Sequence, residues 1–293
     1  MRAAQLLTSL FAVAATLSWN DLGKLPLPDP GARITYGSAP QQFGELRLPK
    51  GEGPFPVFIV IHGGCWLAEY DLTYITRFAA WLTDRRFATW TIEYRRLGDA
   101  GGGWPGTFLD VAKATDALRE IAKTKPLDLD HVYASGHSAG AHLALWLASR
   151  KKLERTSELY VDHPLQIGGV LGLAAITDLH EYRKGPAGSC NASVEPLLGG
   201  APDSVANRYA DASPLQRLPL RIPQAFVQGD RDPIVSATSV RAYVDAATKA
   251  GDNAVVVPLP SAGHFETAAP LAETEAAWRK ALQLLGETAK FRR

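Results

Sequence analysis

His131-Val-Tyr-Ala-Ser-Gly-His-Ser-Ala-Gly140, followed by Ala-His-Leu-Ala-Leu-Trp-Leu-Ala-Ser149, is the stretch that decides the fold. Residues 131–135 read as a strand. Residues 139–149, with Leu143, Leu145, Trp146 and Leu147, read as a helix apolar enough to be buried. Between them Gly136-His137-Ser138-Ala139-Gly140 spells G-x-S-x-G, whose two glycines permit a sharp strand-to-helix turn. A serine hydroxyl is a poor nucleophile unless it is held exposed and supplied with a base. That turn would hold Ser138 exposed at the carboxyl edge of a sheet.

Outward from this unit the chain alternates strands and helices. Residues 57–61, Val-Phe-Ile-Val-Ile, form a short apolar run rich in β-branched residues, which suits a strand buried on both faces of a parallel sheet. Residues 45–48, 88–94, 170–174, 225–227 and 255–259 are further strand candidates. Residues 108–123 place Val111, Ala114, Leu118 and Ile121 at helical spacing, and 240–247 and 276–285 read as later helices. This alternation predicts an α/β fold, a mostly parallel central sheet with helices on both faces, formed by residues 19–293. Residues 178–214 are irregular and rich in Gly, Pro, Ser and Asn. An insertion of that length suits a pocket wall or lid.

His62-Gly63-Gly64-Cys65-Trp66 follows directly on the strand at 57–61. Acyl transfer generates an oxyanion that needs backbone N–H donors already aimed at it, and a Gly-Gly turn leaves the chain bare enough for a close approach. The N–H groups of Gly64 and Cys65 are candidates, joined by that of Ala139 just after the nucleophile. His62 reads as a brace for this loop. The acid should lie on a loop after a late strand, and Gln228-Gly229-Asp230-Arg231-Asp232-Pro233 follows residues 225–227. Of its two aspartates, order and spacing favour Asp232, leaving Asp230 as a solvated turn residue. The base comes last, at Gly263-His264-Phe265, giving the candidate triad Ser138, Asp232 and His264.

Charge and cysteine content exclude other chemistries. Lys and Arg number 31 against 30 Asp and Glu, for a net charge of +1, with no basic stripe to attract a nucleic acid. His137 and His142 form no H-E-x-x-H pattern, so no metal is expected, and the triad needs no cofactor. The two cysteines, Cys65 and Cys190, lack C-x-x-C spacing and read as buried spectator thiols. A disulfide would require an oxidising compartment and a proximity that sequence does not supply. Asn191-Ala192-Ser193 is a glycosylation sequon by spelling only. Arg2, the apolar run at 6–17 and Val13-Ala14-Ala15 have the three-part pattern of a signal peptide, so residues 1–18 are assigned to a leader or N-terminal extension. Export to the periplasm or beyond is the expectation and the cytoplasm the alternative, with no span of the membrane.

These motifs together resemble the α/β-hydrolase superfamily, and within it the hormone-sensitive-lipase-like and kynurenine-formamidase-like esterases. The carrying residues are 62–66, Glu93-Tyr94-Arg95-Arg96, Trp104-Pro105 with Asp110 downstream, 136–140, Asp232 and His264, over roughly residues 40–288. The resemblance implies an esterase acting on a small-molecule acyl substrate, with Trp66 and Trp104 as candidate pocket residues and Ser213-Pro214 near the pocket. Lipase-like members carry a third glycine where this chain has Cys65, which shifts the expectation toward short acyl groups. Rival readings are an arylformamidase using the same triad, a peptidase of the prolyl-oligopeptidase type (which would carry a large N-terminal propeller, and none is expected here), and a non-catalytic binding protein on the same scaffold. Oligomeric state is not written in the sequence.

Overall fold

The structure, a computed structural model, describes residues 16–286. Most of the leader assigned above, residues 1–15, lies outside the described residues. Eight strands in chain order are β1 (Ala32–Thr35), β2 (Phe43–Arg47), β3 (Phe55–Ile61), β4 (Ala88–Ile92), β5 (Leu127–His137), β6 (Val170–Leu173), β7 (Gln224–Gly229) and β8 (Ala254–Leu259). They form one sheet in the order β1-β2-β4-β3-β5-β6-β7-β8. From β4 to β8 every pairing is parallel; the β1–β2 and β2–β4 pairings are antiparallel, so β2 alone runs against the other strands.

The helices are α1 (Trp19–Lys24), α2 (Thr76–Thr83), α3 (Gly106–Asp116), α4 (Leu118–Ile121), α5 (Ala139–Ser149), α6 (Leu179–Tyr182), α7 (Val194–Leu198), α8 (Ala206–Ala212), α9 (Ala237–Lys249) and α10 (Ala272–Leu284). Two apolar cores flank the sheet, and the period-2 alternation of the strands divides between them. In β3, Val57, Ile59 and Ile61 join the core under α3, α5 and α9, while Phe58 and Val60 join the one under α2 and α10. All seven residues of β3 are buried, as an interior parallel strand requires. Every residue of α5 is buried as well, which explains its all-round apolar sequence.

Some sequence expectations are corrected. The helix expected over 108–123 breaks at Ala117 into α3 and α4. Residues 178–214 are not irregular throughout: they hold α6, α7, α8 and a short 3-10 turn at Cys190–Ser193. Strand β1 and helix α2 were not anticipated. Residues 16–18 are tied into the body, with Ser18 capping α1 and the Leu17 N–H donating to Glu266 Oε1 at 2.6 Å.

The parallel strands β3 and β5 end side by side, so the turn after β3 and the turn after β5 meet at one edge. The meeting is close enough to exclude a side chain. A Cβ on Gly140 would lie 2.1 Å from the Ile61 carbonyl oxygen and 2.5 Å from that of His62. Both neighbours are backbone, so neither can move aside cheaply. Gly140→Ala is expected to destabilise the protein by about 1–3 kcal/mol, the range for overpacking, read as a lower urea midpoint in equilibrium unfolding. An unchanged midpoint would show that the contact is looser than the structure has it.

Candidate active site

Ser138 sits between β5 and α5 with φ 56° and ψ −121°, a backbone conformation that a non-glycine residue adopts only at about 1–3 kcal/mol. The surrounding bonds hold it there. Its N–H donates to the Leu173 carbonyl at 2.8 Å, and its own carbonyl accepts from the N–H groups of Ala141 and His142. The candidate oxyanion turn is equally specialised, with Gly64, Cys65 and Trp66 all at positive φ (97°, 55° and 57°). The N–H groups of Gly64, Cys65 and Ala139 donate to no described residue. Ala139 is the first residue of α5, where backbone donors have no intrahelical partner and the helix dipole favours negative charge.

His264 is buried and its Nδ1 lies 2.7 Å from Asp232 Oδ2. Asp232 Oδ1 accepts from the N–H groups of Ile234 and Val235, each at 2.8 Å. Burial works to raise the carboxyl's pKa, but the bond and charge of His264 and these two N–H donors outweigh it and hold it below the ordinary value. Asp232 is therefore an anion that accepts the Nδ1 proton and leaves His264 Nε2 free. Asp230 is exposed and paired with Arg241, so it takes the solvated role.

A second set of bonds ties the two turns to the histidine loop. The Gly63 N–H donates to Tyr74 Oη at 2.7 Å, and Tyr74 Oη lies 2.9 Å from His137 Nδ1. His137 Nε2 lies 3.2 Å from the His264 carbonyl oxygen. A carbonyl only accepts, so His137 carries its proton on Nε2 and Tyr74 donates to Nδ1. Burial first, and then the neighbouring His264, push His137 down to about 3, so it stays neutral and keeps this tautomer. His62 bonds Glu93 Oε1 at 2.9 Å and stacks on Tyr94, which fits its expected bracing role. Burial raises the Glu93 carboxyl, but His62 and Arg96 beside it bring it below its ordinary value.

Ser138, His264, Gly64 and Cys65 line one pocket of about 100 Å³. Its aromatic walls are Trp19, Tyr70, Tyr74 and Phe265, not the tryptophans expected from the resemblance. Trp66 is fully buried with its ring against His142, and Trp104 packs on Phe108 with its indole N–H on Glu158, so both serve packing. The spectator reading of the cysteines is also corrected: Cys65 and Cys190 form a disulfide with Cα atoms 4.9 Å apart, and both line the pocket. It fastens the 178–214 insertion to the oxyanion turn. Ser213 is buried, and its hydroxyl accepts from the Leu179 N–H at the base of that insertion. Sequence periodicity has no means of finding Trp19 or Tyr70, which reach the site from segments with no motif. No group of residues suited to hold a metal occurs among the described residues. No helix among them is long and apolar enough to cross a membrane.

Known proteins share this architecture. Residues 45–245 match the family model described as BD-FAE. Esterase LipC of Mycobacterium tuberculosis is 27% identical over 243 residues, covering 79% of this chain and 59% of that protein. The chain spans a smaller share, 26% to 51%, of the other curated relatives it matches. Among solved structures, an inhibited esterase B from Lactobacillus rhamnosis superposes with a TM-score of 0.75 at 19% identity, covering 90% of this chain and 89% of that one. A truncated carbohydrate esterase from gut microbiota gives 0.74 at 18%, covering 89% and 98%. The fold is that of the α/β-hydrolases.

The neutral histidines beneath the site have a consequence for acid stability. His142 bonds the Ala212 carbonyl oxygen at 3.0 Å, and burial pushes it down to about 4. An unfolded imidazole titrates near 6.5. As pH falls below that value the unfolded chain binds protons that the folded chain refuses, so stability declines from about pH 6.5 toward pH 4. His142→Gln keeps a donor for Ala212 and removes one such proton. It should flatten the decline by up to about 1.4 kcal/mol per pH unit, measured by urea unfolding at pH 7, 5.5 and 4.5. An equally steep decline in the variant would mean that His142 is protonated in the folded protein.

Proposed function

The chain belongs to the BD-FAE family, and on that premise we propose that it is a serine hydrolase cleaving small carboxylic esters through Ser138, His264 and Asp232. The observation that carries this reading is the set of unpartnered N–H groups at Gly64, Cys65 and Ala139 around a strained serine, beside a histidine fixed on a buried carboxylate. An unused backbone donor in a buried turn is costly unless a ligand or water takes it.

In this mechanism Ser138 Oγ attacks the ester carbonyl and its proton passes to His264 Nε2. The N–H groups of Gly64, Cys65 and Ala139 stabilise the oxyanion. Collapse breaks the bond to the alcohol, which leaves with the proton from His264. Water, deprotonated by His264, then attacks the acyl-enzyme and releases the acid and free Ser138. Asp232 remains an anion throughout and holds the imidazole in the tautomer and orientation required.

The 100 Å³ pocket supports a short acyl group. Beside it, sharing Ile234, lies an open cleft of about 340 Å³ edged by Asp178, Glu181, Lys184, Asn191 and Ser236. Its polar rim supports a hydroxyl-rich leaving group, in keeping with a carbohydrate esterase among the similar structures. An aryl formamide is the second reading, because a formyl group is smaller still and uses the same machinery. The disulfide supports export, since such bonds persist in oxidising compartments.

Ser138→Ala is expected to lower kcat on p-nitrophenyl acetate by at least about 10³-fold with an unchanged unfolding midpoint. A fluorophosphonate probe should label the wild type and not this variant. Near-wild-type turnover in Ser138→Ala would sink the assignment. Comparing kcat/KM for p-nitrophenyl acetate and N-formylkynurenine separates the two readings: preference for the ester supports the esterase, and preference for the formamide replaces it.

A further inference from the structure

The pocket around Ser138 is closed on one side by a residue from the far N-terminal end of the described chain. Trp19, the first residue of α1, makes edge contacts with Tyr70 and Tyr74 at ring-centroid distances of 5.1 and 5.2 Å, and packs at 5.9 Å from Phe265. It is 37% exposed, one of few large apolar side chains left so open, and its inner surface lines the pocket. A six-residue helix would not hold such a ring in place unaided.

Three anchors do so. At the front, Glu266 is buried, and its carboxylate accepts the Leu17 N–H at 2.6 Å and the Gly263 N–H at 3.0 Å. It has no ion-pair partner among the described residues, so its carboxylate is committed to joining these two backbone segments. In the middle, Leu22 is fully buried against α2 and α10. At the back, the buried guanidinium of Arg77 donates to the carbonyls of Leu25 and Pro26, the latter at 2.9 Å. The segment from Leu17 to Pro26 is therefore a strap fastened across the site, and one of its fastenings adjoins His264.

We propose that Trp19 is a specificity-determining residue, the wall that limits the acyl chain of the substrate. The proposal rests on the esterase reading above. At about 100 Å³ this pocket is much smaller than the open cleft of about 340 Å³ beside it. Such a space takes the reacting carboxyl centre and a short acyl group. A longer chain must displace something, and the remaining walls are the disulfide, Tyr70, Tyr74, His137, Ile234 and Phe265. Of these, Tyr74 is locked by hydrogen bonds and the disulfide is covalently closed. Trp19 is the most exposed of these rings, so shortening it opens a path from the pocket to water.

The test is kcat/KM for p-nitrophenyl acetate, butyrate and hexanoate in wild type, Trp19→Ala and Trp19→Phe, with one leaving group throughout. The wild type should favour acetate. Trp19→Ala should raise the hexanoate-to-acetate ratio at least tenfold, and Trp19→Phe, which keeps an aromatic ring on Tyr70 and Tyr74, should fall between. A merely structural Trp19 would change all three esters by one factor, and a constant ratio in either variant overturns the proposal. Absence of turnover on every ester by the wild type, with Ser138 unlabelled by fluorophosphonate, would overturn both this proposal and the esterase reading. Absence of turnover with Ser138 labelled would overturn the acyl-wall proposal alone.

Discussion

The top edge of this molecule depends on how closely two pieces of backbone can pass. Where α5 begins, Gly140 lies against the carbonyls of Ile61 and His62 with no room for even a methyl group, and Gly136 is similarly confined against Gly140 itself. Because strands β3 and β5 are parallel neighbours, this contact brings the turn after one beneath the turn after the other. Ser138 then has nowhere to go but the strained conformation it adopts, and the donors of the Gly64–Cys65 turn come to rest beside it. Pre-organisation here is a property of packing density. The interior is too tightly filled for the turns to relax independently.

Hydrogen bonding fixes what packing alone leaves free. The sequence of bonds from the Gly63 N–H through Tyr74 and His137 to the His264 carbonyl joins the oxyanion turn, the nucleophile turn and the histidine loop. Each member is buried, and each has its donor and acceptor roles set by a partner that can only accept or only donate. Burial keeps His137 neutral, so this link does not change its proton count in the working range of pH. Asp232 works in the opposite sense, held ionised by the bond and charge of His264 and by two N–H donors of its own loop. One loop is thus arranged around a neutral ring and the next around a fixed charge.

Much of this was legible in the sequence for an identifiable reason. Residues 57–61, 131–140 and 225–232 combine an apolar run with a turn whose residue types serve chemistry, and both features are local. The strands from β2 onward and the two glycine turns follow from local pattern, and the candidate order Ser138, Asp232, His264 from the chain order that such motifs share. Spacing favours Asp232 over Asp230, and in the structure Asp232 is buried on His264 while Asp230 is exposed on Arg241. The pocket walls were not legible. Trp66 and Trp104 stood next to the motifs but point into packing, while Trp19 and Tyr70 arrive from segments whose composition is ordinary. The pairing of Cys65 with Cys190 spans 125 residues, and no periodicity reports contact over such a separation. The break at Ala117 and the helices within 178–214 are likewise outcomes of tertiary packing.

The bond from the Leu17 N–H to Glu266 joins positions 249 residues apart. A ribosome delivers these two groups 249 residues apart. At about 5–20 residues per second the interval between them is on the order of tens of seconds. Until then the turn at Ser138 can form and Trp19 can meet Tyr70 and Tyr74, but Phe265 and the histidine loop do not yet exist. The completed pocket is therefore a late event in the life of the chain. A nascent chain that stops short of His264 carries Ser138 without the histidine loop, so the candidate site is assembled only once the strap and this loop have both been made.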